Sequence, residues 1–239
     1  MDSEFYKKIT SSSGGTLLAE LVTLPICTVK TVYQNNPNHT IKDSIKYIYS
    51  SSGYKGFIQA SKPAILSQVV STSSKYTIYE MIKTYRQTEK DDFTNNTING
   101  AISGICGSLI THPLDVWKNY KQRNESLTNT LIASSNKSKI LYSGYLGALG
   151  KNITLYSMLF PINDYYKTIF NNTILSAGLT TITVSFFVQP FDYYKVVKMA
   201  NNRATKPFRG LSLMLARSLP HFAITMWATE KIQELMNRH

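Results

Sequence analysis

Long uncharged segments dominate the pattern of polar and apolar positions along the chain. Residues 93–114 and 168–191 carry no formal charge, and each run is long enough for a membrane-crossing helix, which needs ~20 residues. Four more segments are poor in charge, namely 9–29 (interrupted only by Glu20), 63–74, 152–163 and 218–229. All of them mix Ser and Thr with Ile and Leu. This mixture predicts helices with one face toward lipid and one toward a wet cavity. Long buried helices of a soluble protein are the alternative.

A threefold repeat organises these segments. The pattern P-x-x-x-x-K occurs at 25–30 (PICTVK), 113–118 (PLDVWK) and 190–195 (PFDYYK), and the second and third copies also carry Asp. Later in each unit there is an acidic residue with Lys or Gln three positions after it. A polar or basic residue stands thirteen positions before the same acid. These sets are Ser67–Glu80–Lys83, Lys151–Asp164–Lys167 and Arg217–Glu230–Gln233. Three copies in register predict three two-helix units.

The motifs resemble those of the mitochondrial carrier family, whose signature is P-x-[DE]-x-x-[KR], a loop with an aromatic-[KR]-G element, and [FY]-[DE]-x-x-[KR]. The loop element survives at 52–57 (SGYKGF), 142–144 (YSG) and 208–210 (FRG). The last element appears at 79–83 (YEMIK), 163–167 (NDYYK) and, weakened, 229–233 (TEKIQ). Family members are usually longer, and the shortfall lies mainly between Pro190 and Gly210, where a short loop helix is expected to be missing.

The resemblance implies an all-α membrane protein with six transmembrane helices in three pseudo-symmetric two-helix repeats around a central cavity. Odd helices are predicted at about 9–35, 94–123 and 172–200, and even helices at about 61–86, 145–170 and 211–236. The repeats cover residues 1–89, 90–170 and 171–239. Basic residues concentrate in the three odd-to-even loops, which the positive-inside rule places on one inner side. By family resemblance that side is the matrix, so both termini face the cytosolic (intermembrane-space) side of the mitochondrial inner membrane.

Composition narrows the function classes. The formal net charge is +12 with only 17% charged residues. Nucleic-acid binding is disfavoured because the basic residues recur at repeat positions instead of forming one face. Two cysteines outside any CxxC and four scattered histidines indicate no metal site. We find no nucleophile–base pair and no P-loop, so we expect neither an enzyme nor a bound cofactor, and we expect a monomer. The N-terminal segment lacks the apolar core of a secretory signal. Heavy use of Asn, Ile, Lys and Tyr is typical of AT-rich genomes, which suggests a virus- or parasite-encoded member.

The resemblance also implies two rings of ion pairs, each linking the acid of one repeat to the lysine of another. On the matrix side these would be Asp115–Lys195 and Asp192–Lys30. Cys27 stands where the first acid belongs, so Lys118 is expected to lack a partner. On the cytoplasmic side the pairs would be Glu80–Lys167 and Glu230–Lys83, with Asp164 meeting Gln233. A local contact within one helix is the alternative for acids and lysines three residues apart.

Candidate substrate contacts follow from the family's register, in which even-helix residues near mid-membrane meet the solute. The selected pairs are Ser67 with Gln68, Lys151 with Asn152, and Arg217 with Ser218. Lys151 and Arg217 are expected to have no nearby acid, which predicts an anionic solute. Snorkelling of both cations to an interface is the alternative.

We therefore predict a carrier that exchanges anionic metabolites by alternating access, with nucleotides or deoxynucleotides as the favoured class. A carboxylate or keto-acid carrier is the second hypothesis, since Lys151 beside Asn152 is a basic-plus-amide pair. A carrier-derived membrane protein that no longer transports is the third. The lost acid at Cys27 and the shortened loops favour this third hypothesis.

Overall fold

The computed structural model describes residues 3–86, 93–170 and 173–237, and every regular element in these ranges is helical. The helices are α1 (Ser3–Asn35), α2 (Ile41–Ser52), α3 (Ser61–Tyr85), α4 (Phe93–Gln122), α5 (Leu127–Ala133), α6 (Lys137–Leu141), α7 (Tyr145–Ile169), α8 (Thr173–Met199) and α9 (Leu211–Asn237). The all-α prediction is confirmed. The six long helices agree with the predicted ranges to within one or two residues, except that α1 begins earlier than expected.

The six long helices contact one another in a closed order. The most extensive contacts join α1 to α9, α3 to α4, and α7 to α8, and lighter contacts join α1 to α3, α4 to α7, and α8 to α9. Helices α1, α4 and α8 also touch one another. The heavily packed seams therefore alternate with lightly packed ones around the molecule.

Glycines allow the close approach at the heavily packed seams. A Cβ atom at Gly15 of α1 would lie 2.3 Å from Oγ1 of Thr229 and 2.9 Å from the carbonyl oxygen of Thr225, both on α9. A Cβ atom at Gly107 of α4 would lie 2.5 Å from Cγ of Lys75 on α3. Small residues at such contacts let backbones pack closely in membranes, where packing replaces the hydrophobic effect as the main force between helices.

The repeat prolines lie inside helices. Pro25, Pro113 and Pro190 fall within α1, α4 and α8, and each helix continues for about two more turns. The helices therefore run through these prolines, as the predicted ranges 9–35, 94–123 and 172–200 require. Each proline still removes one backbone hydrogen bond and favours a bend, at the end of the bundle where α1, α4 and α8 meet.

The connections between odd and even helices differ among the three units. The first connection contains helix α2. At the N-terminus of α2, Thr40 and Asp43 form a reciprocal cap in which each side chain hydrogen-bonds the other residue's backbone. The hydrogen bonds from the Thr40 side chain and backbone lower the pKa of Asp43. Helices α5 and α6 fill the second. The third, residues 200–210, is described throughout and contains no helix, so the expected loss of a loop helix is confined to that connection.

Arg209 ties the loop-side ends of the long helices together. Its Nε donates to the carbonyl of Tyr33 at 2.7 Å, and its guanidinium lies 3.8 Å from the Tyr33 ring centroid. Its own carbonyl accepts from Nε2 of Gln34 at 3.1 Å and from Nε2 of Gln189 at 2.7 Å. The aromatic-[KR]-G element of the third unit thus joins the C-terminal end of α1 and the start of α9 to the body of α8.

The polarity of the bundle is opposite to that of a typical soluble protein. Buried positions include many polar side chains, among them Thr23, Gln34, Asn99, His112 and Gln189. Large apolar side chains are exposed on the long helices, for example Val22 (62%), Leu146 (72%) and Trp227 (62%). Among the described residues, one helical segment, Ser13–Asn35, meets the length and hydropathy expected of a membrane span.

Gly15→Ala is expected to destabilise the protein by about 1–3 kcal/mol, because the added methyl group overlaps the α9 backbone. The matched control is Gly178→Ala in α8, where a Cβ atom would meet nothing within 4 Å and alanine favours the helix by about 0.4–1 kcal/mol. Thermal unfolding of both variants in detergent measures the difference. Equal midpoints would show that the α1–α9 seam is not tightly packed at Gly15.

Candidate functional site

All six long helices contribute to a central cavity of about 250 Å³. Five of the six predicted substrate residues line it: Ser67, Gln68, Lys151, Asn152 and Arg217. The sixth, Ser218, is not part of the lining, and its hydroxyl donates to the carbonyl of Met214 on its own helix at 2.8 Å. Five of the residues selected by repeat spacing therefore lie around one cavity. Ser218 faces away from it because it is one residue, or 100° of helix rotation, beyond Arg217 on α9.

Asp115 forms the first of three acid-centred clusters at the base of this cavity. Its Oδ2 accepts from Nζ of Lys195 at 2.7 Å, and its Oδ1 accepts from Oγ of Ser67 at 2.7 Å. The contact between Asp115 and Lys195 is the one that the family resemblance implies. The carboxylate therefore joins α4 to both α8 and α3.

Asp192 forms the second cluster and is more deeply buried. It accepts from Nζ of Lys30 and, at 2.7 Å, from Nζ of Lys151. The side chains of Asp192 and Lys30 are only 6% and 8% exposed. A carboxylate in such a place is stable only when cations or hydrogen-bond donors surround it, and here two cations from α1 and α7 do so.

Glu20 forms the third cluster, which the sequence did not lead us to expect. It accepts from Nζ of Lys118 and, at 2.5 Å, from Nη2 of Arg217. Its side chain is 6% exposed. The expectation that Lys118 lacks a partner is therefore wrong, as is the expectation that Lys151 and Arg217 have no nearby acid. Glu20 was visible in the sequence as the one charge in the run 9–29, and that was the signal that could have found it.

Cys27 lies close to this cluster but takes a different partner. Nε2 of Gln122 is 3.3 Å from Sγ of Cys27, and Oε1 of Gln122 accepts from Oγ1 of Thr31 at 2.8 Å. Gln122 and Gln34 are both buried. Gln122 braces α4 against α1, whereas Gln34 holds the Arg209 loop.

The three clusters lie between the central cavity and a smaller one of about 100 Å³. Asp115, Lys118, Lys151, Lys195 and Arg217 line both. The smaller cavity lies toward the loop-side ends of the odd helices, where Cys27, Asn119 and Met199 line it. The acid-centred clusters therefore lie where the central cavity and the smaller, loop-side cavity meet.

Two further cavity residues were missed in the sequence. Lys75 of α3 lines the cavity and makes no ion pair within the part of the chain that the structure describes; its stem packs against Gly107. His112 of α4 is fully buried and its Nε2 lies 2.9 Å from the carbonyl of Ser143, a contact that anchors the second loop. Lys75 had no sequence signal because it does not recur in the other two units.

The cytoplasmic ring stays a prediction. The side chains of Glu80, Asp164, Lys167 and Glu230 lie outside the part of the structure that is described. Lys83 and Gln233 are described, but their predicted partners are not.

Asp192→Asn is expected to destabilise the protein by about 3–5 kcal/mol, because it leaves the buried Lys30 and the partly buried Lys151 without a carboxylate. The control is Glu234→Gln, which removes the exposed pair of Glu234 with Lys231, whose side chains are 53% and 55% exposed. That change is worth about 0–1 kcal/mol. Thermal unfolding in detergent compares the two, and a loss no larger for Asp192→Asn would contradict the burial of this cluster.

Comparison with known proteins agrees with this architecture. The family model described as "Mitochondrial carrier protein" matches residues 2–90. A mitochondrial carrier-like protein of Acanthamoeba polyphaga mimivirus is 40% identical over 227 residues, covering 92% of this chain and 93% of the relative. A mitochondrial thiamine pyrophosphate carrier of Candida glabrata is 23% identical over 95% of this chain, which spans 63% of that carrier. A mitochondrial carrier protein of Saccharomyces cerevisiae is 26% identical over 119 residues, covering 45% of this chain and 32% of the relative. Since the viral relative matches almost end to end at 40% identity, the chain belongs to the mitochondrial carrier family, as a divergent member of a family of transporters and not of enzymes.

Proposed function

We propose that the protein exchanges anionic metabolites across the mitochondrial inner membrane by alternating access, with nucleotides or deoxynucleotides as the preferred class. The observation that carries the proposal is the charge of the central cavity. Its described lining includes five basic side chains but only two carboxylates, Glu20 and Asp115; the basic residues are Lys75, Lys118, Lys151, Lys195 and Arg217. A low-dielectric cavity with excess positive charge favours an anion.

Lys75 is the cation most available to a solute. Lys151 and Arg217 each form an ion pair with a carboxylate. The support for an anionic solute is therefore the excess of basic over acidic side chains in the cavity, because these two cations are not unpaired. Lys75 faces the same cavity and makes no ion pair among the described residues. An ammonium in that position attracts phosphate or carboxylate as a point charge.

The polar lining favours a nucleotide over a simple dicarboxylate. Gln68 and Asn152 present amides, and Ser71, Ser108 and Thr111 present hydroxyls, around the same cavity. These groups suit a base and a sugar as well as a charged group. The relative from Candida glabrata is named for thiamine pyrophosphate, a solute that also carries a diphosphate. A carboxylate or keto-acid carrier stays as the second candidate, because Lys151 and Asn152 sit side by side in the lining.

The proposed membrane arrangement has six spans, formed by α1, α3, α4, α7, α8 and α9 in the repeats 1–89, 90–170 and 171–239, in a monomer. The exposed apolar side chains of the long helices and their buried polar side chains support this arrangement. Both termini would face the cytosolic side, and the connections that carry α2, α5 and α6 would face the matrix. The acid-centred clusters would then be the matrix gate, composed of Lys30, Asp115, Lys118, Asp192 and Lys195 with the added Glu20.

A family member that no longer transports is less well supported than a transporter. Lys118 has the partner that Cys27 cannot provide, and two of the three connections retain short helices. Both observations that favoured loss of transport are thereby weakened.

Uptake into liposomes tests the proposal. Purified protein reconstituted into vesicles loaded with unlabelled ATP is expected to import radiolabelled ADP faster than labelled malate. Lys75→Gln is expected to lower ADP uptake by about tenfold or more, since a hydrogen bond to a charged group is worth about 1.5–3 kcal/mol. Lys62→Gln, at an exposed position on the same helix, is the matched control and should retain uptake.

Import of malate but not ADP would favour the carboxylate hypothesis. No import of any nucleotide or carboxylate by folded wild-type protein would contradict the proposed function.

A further inference from the structure

The three acid-centred clusters share one plan. The acid of each cluster pairs with the lysine of a P-x-x-x-x-K segment. It also bonds one even-helix residue, which is the residue thirteen positions before the acid of the predicted cytoplasmic ring. The three sets are Ser67–Asp115–Lys195, Lys151–Asp192–Lys30 and Arg217–Glu20–Lys118. Two of the acids belong to the repeat motif, and the third does not.

Glu20 lies seven residues before Cys27, the position at which the third motif acid would stand. Seven residues are about two helical turns, so both side chains lie on the same face of α1 about 10 Å apart along its axis. The long side chains of Lys118 and Arg217 reach Glu20, two turns toward the N-terminus of α1 from Cys27, and both form ion pairs with it. Cys27 is left to Gln122.

We propose that Glu20 is the third gate acid of this chain, substituting from two turns away for the carboxylate missing at Cys27 and positioning both Lys118 and Arg217. The inference rests on the proposed carrier function for its role in transport, but the pairing itself does not depend on which solute is carried. Glu20 lines the central cavity, whereas Cys27 lines only the smaller one. A solute anion that binds Arg217 therefore competes with Glu20 for the same guanidinium and weakens the link that holds Lys118.

The substitution predicts a specific rescue. Glu20→Gln leaves the partly buried Lys118 and Arg217 without their carboxylate and is expected to lower the midpoint of thermal unfolding by roughly 5–15 °C. Adding Cys27→Asp to Glu20→Gln places a carboxylate near Lys118 again and should recover at least half of that loss. Adding Cys27→Ser, which has similar size and no charge, should recover none.

Cys27→Asp alone supplies a second measurement that needs no destabilised variant. In the otherwise wild-type protein Lys118 is already paired, so the new carboxylate is expected to leave the midpoint unchanged or lower it. A higher midpoint for Cys27→Asp alone, as large as its effect in the Glu20→Gln protein, would show that Glu20 does not hold Lys118 and would overturn the inference.

Transport separates this inference from the proposed function. For ADP entering ATP-loaded liposomes, Glu20→Gln is expected to lower KM, because the competing carboxylate is gone, and to lower the maximal rate, because one gate acid is lost. An unchanged KM would contradict the competition at Arg217. If wild-type protein imports no ADP but the rescue by Cys27→Asp is observed, the nucleotide proposal fails and the assignment of Glu20 stands.

Discussion

The structure depends on three carboxylates inside the helix bundle, two buried and one partly buried, that are each shared by two partners from other helices. Asp115, Asp192 and Glu20 would be too costly to bury alone, and the cations around them would be equally costly without them. Together they hold α1, α4 and α8 to one another and to α3, α7 and α9. Because each acid binds a residue of the central cavity, the proposed closure of the loop side is physically linked to the partners that the cavity residues take. A ligand that changes the partners in the cavity changes the free energy of the closed state by its differential affinity.

The bundle buries polar side chains and exposes apolar ones. For this reason charge-free runs and the repeat predicted the long helices, whereas mean hydropathy alone would miss most of those described. Polar residues such as Asn99, His112 and Gln189 are buried inside, which lowers the mean hydropathy of the helices that carry them. One described segment, Ser13–Asn35, therefore passes a test based on length and hydropathy, while charge-free runs and the repeat located all six long helices. The ends of the odd helices were predictable because each lies nine or ten residues after the proline of P-x-x-x-x-K, and the even helices begin within five residues of the glycine of the loop element. The closed order of helix contacts was expected only from the family resemblance.

The site was predictable where it follows the repeat and not where it departs from it. The contacts of Lys30 with Asp192 and of Lys195 with Asp115 lie at motif positions. Glu20 lies outside every motif, and its pairing depends on how far Lys118 and Arg217 extend in three dimensions, which spacing does not reveal. The same applies to Lys75, whose place in the cavity comes from the close packing of α3 on Gly107.

We propose that the acid-centred clusters close the loop side and that a carried anion opens it. Cys27 reports on this directly, because it is only 9% exposed and lies on the loop side of the clusters. In a Cys106→Ser background, an impermeant maleimide would be applied to the loop side of oriented vesicles, with or without ADP on the opposite side. We expect slow labelling of Cys27 without ADP and clearly faster labelling with it. Fast labelling without any solute, or a rate unaffected by ADP in vesicles that import it, would contradict the account.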